Sequence, residues 1–82
     1  MQDTQKRIDE LTESLKFTEV VVTDSDEGFI VREIQDFDIY SLHLYSDGKV
    51  RYVHLEDYCI IYDMMFNSDE ELIQTYNKGR LC

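Results

Sequence analysis

The chain has no proline, no tryptophan, only three glycines and only two cysteines among 82 residues. Without proline or a Gly/Ser-rich stretch there is no linker, so residues 1–82 read as one domain, and that length allows one small core burying about 60% of the unfolded surface. Gly28, Gly48 and Gly79 each stand alone, which excludes a glycine-rich phosphate loop. Two cysteines and two scattered histidines are too few for a zinc site. Cys59 lies in an apolar run and is expected to be a buried small hydrophobe, while Cys82 is the last residue; a disulfide between them is disfavoured in a reducing compartment. No apolar run approaches the roughly 20 residues of a membrane span. The longest, Tyr58–Tyr62 and Met64–Phe66, is broken by Asp63. Met1-Gln2-Asp3-Thr4 has neither the basic nor the apolar region of a secretory signal, so a cytoplasmic location is expected.

Cations are scarce too. Eight Lys and Arg oppose eighteen Asp and Glu, a net charge of −10. An apolar fraction of 43%, with six Tyr and four Phe, is more than a disordered acidic tail carries, so the chain is expected to fold. The charge is concentrated. Residues 17–47 hold Glu19, Asp24, Asp26, Glu27, Glu33, Asp36, Asp38 and Asp47 against Arg32 alone. Such a surface repels phosphates and anionic membranes, which leaves a basic protein as the partner it would attract.

Ile8, Leu11 and Leu15 recur at helical spacing and predict a helix over Asp3–Leu15 burying one narrow stripe. Five strands follow in the β-branched and aromatic texture: Phe17–Asp24, Phe29–Gln35, Asp38–Ser46, Lys49–Glu56 and Tyr58–Phe66. Ser68-Asp69-Glu70-Glu71 has the form of a capping box. It opens a helix burying Leu72, Ile73 and Tyr76 and stopping at Gly79. The fold class is therefore α+β: an N-terminal helix, an antiparallel meander of about five strands and a short C-terminal helix.

Asp47-Gly48 suits a two-residue type I′ hairpin. That loop sets Leu42 opposite Val53, Leu44 opposite Arg51 and Tyr40 opposite Leu55, on a face expected to receive a helix. The other face would then gather His43, Tyr45, Tyr52 and His54. Such a face is a candidate dimer interface, since aromatics are enriched at interfaces; cover by the second helix is the alternative. The same register makes His43 and His54 diagonal neighbours, with Glu56 close by. Without a third firm ligand, no metal site is assigned.

Catalysis finds no support in the residues. Cys59 has no cationic neighbour in sequence to activate it, and with so many carboxylates any single acid pair has little weight. The expectation is a protein that is not an enzyme and needs no cofactor.

The two segments most suited to partner binding are Asp24-Ser25-Asp26-Glu27 and Asp36-Phe37-Asp38, with Glu33 and Asp47 completing the set. In size, acidity, helix-plus-sheet layout and lack of proline, the chain resembles the small acidic phage-encoded inhibitors that imitate DNA, such as uracil-DNA glycosylase inhibitor and the inhibitors of histone-like nucleoid proteins. The resemblance is one of class and has no shared motif. It implies an acidic ridge and a hydrophobic anchor, here Phe29, Phe37 or Tyr45, entering the nucleic-acid groove of a basic target in a bacterial cytoplasm. The alternative is an acidic adaptor, antitoxin-like or immunity-like, that does not imitate phosphate spacing. A homodimer is compatible with either.

Overall fold

The computed structural model describes residues 4–25 and 28–81. Along the chain it has α1 (Thr4–Ser14), β1 (Val20–Ser25), β2 (Gly28–Gln35), β3 (Asp38–Tyr45), β4 (Val50–Glu56), β5 (Cys59–Phe66) and α2 (Asp69–Asn77). The strands form one open antiparallel sheet in sequential order. This is the expected α+β fold. No described helix is long and apolar enough to cross a membrane.

The helix ends have local causes. Phe17 N–H donates to the Thr12 carbonyl (2.8 Å) and Lys16 N–H to the Glu13 carbonyl (3.2 Å), a Schellman closure with Lys16 in the left-handed position at φ 62°. No glycine announces this stop. The first strand accordingly begins at Val20, three residues later than predicted. At α2, the Ser68 hydroxyl accepts from Glu71 N–H at 3.2 Å. Gly79, at φ 71°, closes that helix with bonds to Tyr76 and from Arg80 to Thr75.

The Asp47-Gly48 turn departs from expectation. Gly48 N–H donates to the Tyr45 carbonyl (3.1 Å), and Tyr45 N–H to the Lys49 carbonyl (3.0 Å). The loop is therefore three residues, Ser46 to Gly48, with Gly48 at φ 97°, the type I turn followed by a bulge that is common in hairpins. Leu44 consequently opposes Val50, Leu42 opposes Tyr52, and Tyr40 opposes His54. A slip of one residue turns every β4 side chain to the other face. Tyr52 and His54 thus lie beneath the helices, while Arg51, Val53 and Leu55 share the open face with His43 and Ile39.

The core forms between the sheet and both helices. Ile8, Leu11 and Leu15 from the α1 segment and Leu72 from α2 close over Val31, Leu42, Leu44, Val50, Tyr52 and Phe66. The opposite face of the sheet receives neither helix.

Candidate functional site

A meander sends alternate connections to opposite ends of the sheet. The β2–β3 and β4–β5 turns share one end, while Asp24 and Asp47 lie at the other, the length of β2 away, about 23 Å. Among the described residues, the acids of 17–47 are therefore divided between two ends and form no single ridge. Asp26 and Glu27 lie outside the described residues.

The shared end is built by two tight turns. Gln35 pairs with Asp38 across Asp36-Phe37, and Glu56 pairs with Cys59 across Asp57-Tyr58. Asp57 and Tyr58 both have positive φ, at 51° and 66°, as a type I′ turn requires. Asp57 N–H donates to the Phe37 carbonyl at 2.9 Å and ties the two turns together. Both turn aromatics face solvent: Phe37 is 73% exposed and Tyr58 84% exposed. Asp36, Glu56 and Asp57 are also exposed. No cation among the described residues lies within salt-bridge distance of these three.

On the open face the same end carries a band of apolar side chains in cross-strand register, Ile34–Ile39–Leu55–Ile60. Its outer members are 56% (Ile34) and 62% (Ile60) exposed. Phe37, Glu56, Asp57, Cys59 and Ile61 line a shallow depression beside it. Cys59, expected inside, is an exposed free thiol at the start of an edge strand. Of this end, the sequence reading named only Asp36, Phe37 and Asp38. The sequence places Glu56 at the end of the fourth strand and Tyr58 at the start of the fifth and gives neither a partner-binding role, although in a meander two turns separated by two strands must meet at one end.

Three of the expected partner-binding acids are engaged internally. Glu33 is only 2% exposed. Its Oε1 accepts from Thr18 N–H, Glu19 N–H (3.2 Å) and the Thr18 hydroxyl (3.3 Å), and its Oε2 from Gln35 Nε2 (2.7 Å). It anchors the segment entering β1 and is not part of an exposed acidic surface. Asp38 meets His54 Nε2 at 3.1 Å. Tyr40 stacks on His54, with ring centroids 4.3 Å apart. Burial raises the Tyr40 pKa, and the negative charges of Asp38, Glu33 and Glu56 raise it further. Asp47 bonds Lys49 N–H at 3.0 Å, within the hairpin loop.

The expected Tyr/His face does not exist as one surface. His43 and Tyr45 project from the open face, while Tyr52 and His54 project toward the helices. His43 and His54, on opposite faces, cannot share a metal ion. On the open face Arg51 Nε donates to Asp63 Oδ1 at 2.8 Å. That bond, reinforced by the guanidinium charge and by His43, holds the Asp63 carboxyl below its ordinary value.

No protein-family model, curated protein or solved structure matches this chain.

Proposed function

We propose that the protein is a non-enzymatic acidic inhibitor that occupies the nucleic-acid groove of a basic DNA- or RNA-binding protein, such as a nucleoid protein, a repair enzyme or a nuclease. The observation that carries this reading is the joined pair of turns, where exposed Phe37 and Tyr58 stand among Asp36, Glu56 and Asp57. An apolar centre with a charged rim is the anatomy of a protein interface, and aromatics are its usual anchors. Tyr58 adds weight. A bulky side chain at φ 66° is unfavourable where glycine would sit without strain, and at 84% exposure its packing offsets little of that cost. An anchoring role gives the aromatic a reason to stand there. In a groove built for a polyanion, the three carboxylates would meet the cations that normally hold phosphates. The setting of this reading is the cytoplasm of a bacterium, with the protein encoded by a phage.

The second reading is an acidic adaptor, antitoxin-like or immunity-like, and the division of the acids between two ends of the sheet favours it. In that case the apolar band would dock the partner and the charge would only steer the encounter. A homodimer would use the open face, which bears His43 and Tyr45, and light scattering distinguishes it from a monomer.

Competition separates the two functional readings. Partners captured from a nuclease-treated bacterial lysate are challenged with duplex DNA. Mimicry predicts a nucleic-acid-binding protein that DNA displaces, and whose capture is lost when Asp36, Glu56 and Asp57 become Asn or Gln. A partner that DNA cannot displace overturns mimicry and leaves the adaptor.

A further inference from the structure

A second concave feature lies on the helix-covered side of the sheet. Between the C-terminal ends of the helices and the sheet is a cavity of about 310 Å³, lined by Phe17, Tyr40, Tyr52 and Tyr76, with Glu33 in its wall and Lys16 at its border. We propose that this cavity binds a small organic cation, an alkylammonium or guanidinium group, between aromatic walls with Glu33 as the buried counter-charge.

Three observations converge on this chemistry. The first is the wall: aromatic faces carry negative potential and attract cations, most strongly where water is excluded. Tyr40 is fixed in the wall by its stack on His54 and by Phe17, whose ring is tilted against it with a centroid distance of 6.2 Å. The second is charge. Glu33 is almost wholly buried, and its described partners are two backbone amides, a hydroxyl and a side-chain amide, none of them cationic. Its charge is held by hydrogen bonds alone, with no described cation paired to it. The third is the surrounding charge: burial and then the negative charges of Asp38, Glu33 and Glu56 raise the Tyr40 pKa.

The volume sets the size of the guest. It sits at the lower limit of small-molecule pockets, roughly 300 Å³, so it suits a choline-sized head group or the end of a lysine or arginine side chain. Lys16 competes. Its side chain is exposed at the border of the cavity and carries the same charge as the guest.

The test uses the full chain and calorimetric titration with choline beside 3,3-dimethyl-1-butanol, its neutral isostere. Choline is expected to bind about tenfold or more tightly than the isostere, since only the cation gains from ring and carboxylate. Lys16→Gly is expected to strengthen choline binding, and Glu33→Gln to weaken it. A tripeptide with a central trimethyllysine, run in parallel, identifies the source: tighter peptide binding indicates a protein side chain, tighter choline binding a free metabolite, and either supports the site. Equal binding of choline and isostere, or no binding of choline and peptide at millimolar concentration, overturns it. The wild-type comparison decides the matter even if Glu33→Gln fails to fold.

Discussion

Arg7 and Asp69, 62 positions apart, form a two-point ion pair: Nε to Oδ2 at 2.6 Å and Nη2 to Oδ1 at 2.9 Å. The same guanidinium donates to the carbonyls of Tyr45 (2.8 Å) and Lys49 (2.9 Å). One side chain therefore ties α1 to the β3–β4 hairpin and to the start of α2. Because the pair is partly buried and bonded at several points, Arg7→Ala is expected to lower stability by about 2 to 3 kcal/mol. Arg7→Lys should restore only part of that, since an ammonium cannot span the same acceptors. Urea unfolding of both variants checks this, and equal stability of Lys and Ala variants would count against the geometry.

Asp69 consequently has two duties, helix-dipole partner and ligand of Arg7. Glu70 and Glu71 are the better control for charge removal, because replacing them should cost only about 0.5 to 1 kcal/mol each in the first turn of α2.

Glu33→Ala is expected to destabilise the fold by about 2 to 4 kcal/mol, because it strands the amides of Thr18 and Glu19 that now bond the carboxylate. Exposed Asp36→Ala should change stability by less than about 0.5 kcal/mol. Chemical denaturation of the pair distinguishes the structural acid from the surface acid. Equal small effects would show that Glu33 is not holding the entry to β1.

Tyr58→Gly is expected to act in opposite directions on stability and binding. Relief of the left-handed strain should stabilise by about 0.5 to 1 kcal/mol, net of the greater freedom of glycine when unfolded. Loss of the ring should weaken partner capture by about tenfold or more if it is an anchor. Thermal melts and capture assays on the same variant read the two effects separately. Undiminished capture would remove Tyr58 from the interface.

The Arg51–Asp63 pair makes a pH prediction. The folded Asp63 carboxyl titrates below its ordinary value of 3.8, so its contribution to stability is present above that value and is lost as pH falls through the folded pKa. The pair is more than a third exposed at Arg51, so Asp63→Asn should cost no more than about 0.5 kcal/mol at neutral pH. NMR titration of the Asp63 carboxyl carbon measures the shift directly, and a midpoint at or above the ordinary value would refute the pairing.

The sequence by itself determined the elements and the fold class. Helical spacing of Ile8, Leu11 and Leu15, β-branched runs between polar turns, and the Ser68 and Gly79 signals are local, because neighbouring residues along the chain decide whether backbone groups bond locally or across strands. Tertiary structure decided which side chains meet. One extra residue in the Ser46–Gly48 loop inverted the faces of β4, separating His43 from His54 and Tyr45 from Tyr52. No composition rule forecasts that, since a hairpin register depends on hydrogen-bond closure at the loop and every downstream side chain inherits it. Charge was similarly ambiguous. Glu33 and Asp36 are alike in sequence, yet β-sheet alternation and the segment crossing above β2 turn one into a buried anchor, while the reversal of the chain leaves the other at a solvent-facing turn beside Phe37.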